Sequence, residues 1–244
     1  MDKPYVVEET ENYAVVFKPA KLHSESKNSE SKHEEDVTTI YNWFFKYSGF
    51  NENIKLMHRL DFETNGLVLF AKNKESYNFF KELQDKGEFI KEYSAICVPA
   101  GEPVEFEGFP DKNFILKIDN GLNRCERNNV IQSYFRPYGP GRKLVRPVIE
   151  DGKKHKEIAK DNGGFYKTEI INMNDNIFTL QIKRGFRHQI RCHLCWAGYP
   201  ILNDPLYPHG ADLQLESLLA LRSHALFFAD PVSGGERECR IEGY

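Results

Sequence analysis

Apolar positions recur along the chain with two periods, and the switches between them mark out its elements. Residues 5 to 18, YVVEETENYAVVFK, read as two short strands around an acidic turn, closed by Pro19. Residues 23 to 36, HSESKNSESKHEED, are polar and aperiodic, and predict a mobile loop. A helical period follows: Val37, Ile40, Tyr41, Phe44 and Phe45 share one face, with Asp36 as N-cap and Gly49 as the stop. The run Leu67-Val68-Leu69-Phe70-Ala71 has the length of a buried strand, and Asn65-Gly66 before it reads as a turn. Asn73 to Lys86 then reads as a second helix carrying Phe79, Phe80 and Leu83, stopped by Gly87. Residues 89 to 98 alternate as a strand.

Residues 99 to 164 interrupt this regularity with glycine, proline and charge. Strand-like pieces remain at 113 to 118 and 130 to 135, and RPYGPGRKLVRP, residues 136 to 147, reads as a basic loop. Strands resume at 165 to 171 and 177 to 183, followed by a helix over 187 to 197 that ends at Gly198. A leucine-rich helix near 212 to 221 precedes a last strand, SHALFFAD. Strand-to-strand steps outnumber βαβ units, with no internal repeat and no break in composition. The pattern predicts one α+β domain over residues 1 to 244, its sheet mixed but largely antiparallel and flanked by helices.

Composition narrows the setting. Hydrophobic residues at 40% and charged residues at 28% are ordinary for a soluble globular chain. No apolar run approaches the roughly 18 residues of a membrane span. The start, MDKPYVVEETENY, has no secretory h-region, and five cysteines without framework spacing fit a reducing, cytoplasmic setting. The net charge of −3 hides an asymmetry: residues 134 to 196 carry 13 Lys and Arg against 6 Asp and Glu, leaving about −10 elsewhere. A basic field inside an acidic chain can draw a polyanion to one face, although a solvated charged face has the same composition.

Candidate chemistry centres on LMHRLDFETNGLVLFAK, residues 56 to 72, where His58, Arg59 and Asp61 stand directly before the core strand. A loop delivered by a rigid strand is a common place for a working residue. A surface Arg–Asp pair of little energetic consequence has the same sequence. Asp61 and Glu63 can also be read as a glycosidase pair, since residues i and i+2 on a strand lie about 6.6 Å apart. That spacing falls between the retaining and inverting separations, and only Trp43 and Trp196 are present to build a sugar platform. Further on, His188, Cys192 and Cys195 share a helix face at zinc-like spacing. No fourth ligand completes the set, and small thiols on an apolar face usually pack as core, so no metal is expected.

Five stretches in order resemble the RluA type of RNA pseudouridine synthase. HRLDFETNGLVLFAK resembles the signature around that family's catalytic aspartate, KEYSAI its tyrosine-bearing strand, and RGFRHQIRCHLCWAGYPILNDPLY its third motif. VVFKPAKLHS and LRSHALFFADPVSG resemble its flanking elements, so the resemblance runs from about residue 6 to 235. It implies the family's fold, a bent mixed sheet with flanking helices, and isomerisation of particular uridines in a ribosomal or transfer RNA stem-loop. By position, Asp61 matches the catalytic aspartate, and Arg59 an arginine that helps to push the uridine out of the helix. Tyr93 matches the tyrosine that stacks on uracil, and Arg191 the basic residue that pairs with the aspartate. His58, Arg187, His188, Arg142 and Lys143 are further candidates for contact with RNA.

Two departures stand out: the usual Thr-Gly-Arg-Thr before HQIR is Arg184-Gly185-Phe186-Arg187, and the usual Ser after the Thr is Asn65. The reaction is redox-neutral, so no cofactor is implied, nor a protein partner or oligomer beyond a monomer. No S4-type RNA-binding domain is expected before residue 5, which leaves recognition to the catalytic domain and its 99–164 insert. A non-catalytic RNA-binding module is the competing reading. It has no need of a carboxylate in its cleft, where Asp61 would repel phosphate.

Overall fold

The structure, a computed structural model, describes residues 2–25, 39–98, 109, 129–148, 165–207 and 217–244. The chain forms two compact units, Met1–Glu92 with Leu221–Gly243, and Tyr93–Ala220 with Tyr244. Most of the loop expected over 23 to 36 and the piece at 113 to 118 lie outside the described residues.

In the first unit, strands β1 (Tyr5–Glu9) and β2 (Tyr13–Lys18) pair antiparallel. Thr10 closes their turn by accepting from the Asn12 and Tyr13 amides. β2 lies against β4 (Asn65–Ala71), and every residue of both strands is buried. That explains their unbroken apolar runs: with both faces covered, period-two alternation has nothing to report. The other edge of β4 is shared by the two-residue β3 (Lys55–Leu56), antiparallel, and by β10 (Leu221–Ala229), parallel. β11 (Glu236–Arg240) pairs antiparallel with β10.

Asn65-Gly66, expected as a turn, instead opens β4. Gly66 has φ +126°, and a Cβ there would stand 2.2 Å from the Ser223 carbonyl oxygen. Only glycine admits β10 so close. Arg222 reinforces the approach by donating Nε–H to Asn65 Oδ1 at 2.7 Å.

Two helices belong to this unit. α1 (Ile40–Tyr47) starts later than expected: Thr39, in extended backbone, accepts the Asn42 amide and is the N-cap. Asp36 and Val37 lie outside the described residues. Ile40 and Phe44 are buried, with the Phe44 ring 4.5 Å from that of Phe70, and Gly49 at φ +70° follows the helix. α2 (Lys74–Lys86) has the expected limits, set by a reciprocal Asn73–Ser76 capping box and left-handed Gly87. Its Phe80 and Leu83 join Tyr13, Val15, Leu67, Leu69, Phe89, Leu226 and Phe228 in one core.

β5 (Ile90–Ile96) carries the chain into the second unit. There β8 (Tyr166–Asn174) lies between β9 (Ile177–Ile182) and β6 (Val130–Tyr138), all antiparallel. β6 turns back into β7 (Leu144–Val148) through Gly139–Lys143. Residues 136 to 147, expected as a basic loop, are therefore mostly the arms of a hairpin. Positive φ at Gly139, Gly141 and Arg142 makes the tip, while Phe135 and Val145 pack inward. Helix α3 (Gln189–Trp196) is buried along its whole length, against Phe135, Val145, Tyr166 and Tyr207 on the side of Cys192 and Cys195. Of the leucine-rich helix expected over 212 to 221, residues 212 to 216 lie outside the described residues, and Leu221 opens β10. β11 was not anticipated. Seven of the eight strand pairings above are antiparallel and one is parallel, which is the mixed, largely antiparallel α+β class expected. Among the described residues no helix is long and apolar enough to cross a membrane.

Candidate active site

The loop bearing Asp61 is built from alternating anchors. Met57 bonds the Leu69 carbonyl through its amide and accepts Gln84 Nε2 at its own carbonyl. His58 turns its ring inward against Phe89, and Nε2 accepts the Leu69 amide at 3.3 Å. Burial and then nearby Lys91 hold its pKa well below the usual histidine value, so the ring is neutral. His58 thus frames the loop. Ser24 Oγ both donates to the Leu60 carbonyl and accepts its amide, and the Thr64 amide bonds the Asp61 carbonyl. Between these ties Arg59 and Phe62 are exposed, and Asp61 and Glu63 are half-buried. Asp61 and Glu63 sit in a bend rather than on a strand, so the i, i+2 geometry of a glycosidase pair does not hold.

Lys18 belongs to this neighbourhood and escaped the sequence reading. It is fully buried at the end of β2, and its Nζ donates to the Pro19 and Leu22 carbonyls at 2.9 and 2.7 Å. Burial pushes its pKa down to about 7, against the opposing pull of Asp61 and Glu63. The only signal in the sequence is a lysine ending a strand whose other residues are all apolar. A pH effect follows. The unfolded lysine titrates near 10.4, so between about pH 7 and 10 the unfolded chain holds a proton that the folded chain has released. Stability from this group therefore rises with pH across that window and is flat below it, with a slope approaching about 1.4 kcal/mol per pH unit. Denaturant midpoints measured from pH 6 to 9.5 should rise more steeply for the wild type than for Lys18→Met. Parallel curves would show that Lys18 does not titrate there. Lys91, lowered to about 8 by burial, adds the same sign to both proteins.

The second unit holds the remaining candidates. Tyr93 is buried on β5. Arg191 on α3 is only 1% exposed and forms a two-pronged pair with Asp204, Nε to Oδ2 at 2.8 Å and Nη2 to Oδ1 at 2.6 Å. Asp204 Oδ1 also accepts the Leu206 and Tyr207 amides, and the Tyr207 ring lies 5.6 Å from the guanidinium carbon. The Tyr207 hydroxyl accepts the Val145 amide and donates to its carbonyl, which anchors the turn to β7. Asp204 was not anticipated as the partner of Arg191, because nothing in the sequence couples it to an arginine 13 residues away.

His188 opens α3 in the left-handed region, φ +55°, with Nδ1 3.4 Å from the Tyr207 hydroxyl. Gln189 and His193 fix the helix: Gln189 bonds the Phe186 amide, the Lys167 carbonyl and Thr168 Oγ1, and His193 lies between Ser133 and Thr168. Burial takes the His193 pKa down to about 3, so this network is uncharged. Burial likewise pushes the Cys195 thiol up to about 12 and Cys192 well above its ordinary value.

The unusual Phe186-Arg187 pair also finds its place here. Phe186 stacks on Phe135 at 5.1 Å and meets Tyr166 edge-on, so it is a packing residue. Arg187 donates Nη2 to the Arg142 and Leu144 carbonyls, which brings it to the hairpin tip beside Arg142 and Lys143, all three exposed. Arg136 stands opposite Arg146 lower on the same hairpin.

Comparison with known proteins gives this arrangement its context. An uncharacterized protein of Caenorhabditis elegans is 29% identical over 207 residues, covering 83% of this chain and 38% of its own length. The ribosomal large subunit pseudouridine synthase C of Rickettsia typhi is 27% identical over 242 residues, covering 95% of this chain and 65% of that enzyme. The chain thus spans between about two fifths and two thirds of the length of these relatives. The fold is similar to that of human RNA pseudouridylate synthase domain containing 1, with a TM-score of 0.63 at 16% identity, covering 98% of this chain and 83% of that one. The sequence model of the RNA pseudouridylate synthases matches residues 12–196, from β2 through α3, and the chain belongs to that family.

Proposed function

We propose that the protein isomerises particular uridines of a structured RNA to pseudouridine, with Asp61 as the catalytic carboxylate. The observation that carries this reading is the family match across residues 12–196, which includes the anchored, half-buried Asp61 at the mouth of a core strand. The reaction breaks the C–N glycosidic bond and joins the same sugar carbon to C5 of the uracil, whose proton then leaves. Asp61 serves as nucleophile or as base at the sugar, and either role needs the carboxylate ionised. Tyr93 contacts the uracil and assists removal of the C5 proton, Arg191 supports the aspartate, and Arg59 occupies the space left by the flipped nucleotide. These roles rest on the resemblance of the motifs. The hairpin tip with Arg142, Lys143 and Arg187 supplies sequence-independent phosphate contacts. The two units act as one catalytic domain, a cytoplasmic monomer that uses no cofactor or metal.

Large-subunit ribosomal RNA is the first substrate to test, since the Rickettsia typhi relative is named for it. Purified protein incubated with ribosomal and transfer RNA transcripts tritiated at C5 of uridine should release tritium from one of them. No release from any of these RNAs would overturn the assignment.

A further inference from the structure

Phe62 follows Asp61 directly and is 39% exposed, on a loop whose neighbouring side chains Leu60 and Thr64 are buried. A single exposed phenylalanine is ordinary, but this one is held in place. Its ring lies 4.6 Å from that of exposed His23, inclined by 37°, and its carbonyl accepts the Lys21 amide at 2.7 Å. His23 is fixed in turn by a bridge to Thr39 and by its carbonyl, which accepts the Ile40 amide. Ser24 then ties that segment to Leu60 from both sides. Two aromatic rings are thus presented to solvent on backbone that is already ordered, so little freedom is lost when something stacks on them. Exposed Lys21 stands two residues before His23 and supplies a cation for a backbone phosphate.

We propose that Phe62, supported by His23, is a stacking platform for the nucleobase next to the target uridine. The inference rests on the isomerase reading and adds a specificity-bearing subsite to it. Phe62 directly follows Asp61, with Cα atoms about 3.8 Å apart, so a base resting on its ring belongs to a nucleotide close to the one delivered to Asp61, which leaves the stack when it flips. Stacking of this kind tolerates any base but favours purines, which have the larger π-face, so the platform selects for context rather than for a single letter.

The probe is a nine-nucleotide RNA with one central uridine and 2-aminopurine immediately 5′ or 3′ of it. Its fluorescence falls on stacking and is read without turnover. Binding to the wild-type chain should quench one of the two probes. Phe62→Ala should abolish that quenching and weaken the Kd roughly fivefold to a hundredfold, and Phe62→Tyr should restore both. Phe62→Leu keeps an apolar side chain of similar bulk without a π-face, and should behave like Phe62→Ala. The platform is overturned if neither probe is quenched by the wild type, or if Phe62→Ala quenches and binds as the wild type does. It is overturned equally if Phe62→Leu matches Phe62→Tyr, which would make the ring a packing contact of the loop. Tritium release by the same wild-type preparation reports the isomerase activity separately, so a failed platform leaves that reading standing and a failed isomerase is seen independently.

Discussion

Asp61→Asn protein is expected to fold, to bind RNA at least as tightly as the wild type, and to lose isomerisation by a factor of at least about a thousand. An amide is neither an effective nucleophile at the sugar carbon nor a base, so the whole contribution of the carboxylate to the barrier disappears, about 4 kcal/mol or more. The fold should tolerate the change because asparagine is nearly isosteric with aspartate and the loop is tied through its backbone. The Asp61 carbonyl, not its carboxylate, receives the Thr64 amide, and Ser24 holds Leu60. Removing a negative charge from a surface that meets phosphate should, if anything, strengthen binding. Single-turnover tritium release and filter binding on the same RNA separate the two effects. Turnover within tenfold of the wild type would remove Asp61 from the chemistry. Glu63→Gln, measured beside it, should stay near wild-type activity, as expected of a neighbour in a bend and not of a second catalytic carboxylate.

Arg191→Met should produce the largest loss of stability, about 3–5 kcal/mol. The guanidinium and Asp204 are both buried, and removing one leaves the other's charge in low dielectric. Asp204 would keep the Leu206 and Tyr207 amides, which sets the loss within that range rather than above it. Denaturant midpoints at pH 7 give the value directly. In a double-mutant cycle, Arg191→Met with Asp204→Asn should cost clearly less than the sum of the two single changes. A loss under about 1 kcal/mol would mean that water reaches the pair. The same result governs how activity is read. Arg191 variants must be assayed as folded protein, or the destabilisation will pass for a catalytic defect.

How much of this was visible in the sequence depended on whether local rules met competition. α2 was legible end to end because Asn73 and Gly87 are unopposed signals and the apolar face repeats between them. The start of α1 was not, because Asp36 and Thr39 are both good caps and spacing alone cannot rank them. The β6–β7 hairpin was obscured by Pro137, Pro147 and three arginines in its arms and tip. The alternation of Ile131, Ser133 and Phe135 ends before the tip, and beyond it Val145 and Val148 are the buried aliphatic residues, so the turn-forming residues dominate the stretch. β11 was missed because Cys239 is its one buried residue and the rest of ERECR faces water. At the site, the Asp61 loop announced itself by charge placed against a core strand. Asp204 did not, since its partner Arg191 lies 13 residues away, and Lys18 did not, since residue types reveal neither its burial nor its bonds to backbone carbonyls. Phe186 and Arg187 were visible as departures from the family pattern, yet their meaning as a core ring and a hairpin clasp needed the packing around Phe135 and the Arg142 carbonyl.

The close approach of Gly66 to Ser223 also fixes an order of assembly. It pairs strands whose contacting residues, Asn65 and Arg222, are 157 positions apart, and Tyr93–Ala220 of the second unit lies between them. A chain made from its N-terminus presents β4 with one edge covered by β2 and the other only by the two residues of β3. Meanwhile the second unit, contiguous from Tyr93 to Ala220, has its own pairings in hand as soon as it emerges. The unit that carries Asp61 must wait for β10, and closing so long a loop is slow. Until then an apolar strand edge stands open, and the unit that carries Asp61 cannot finish folding before Leu221–Ala229 has left the ribosome.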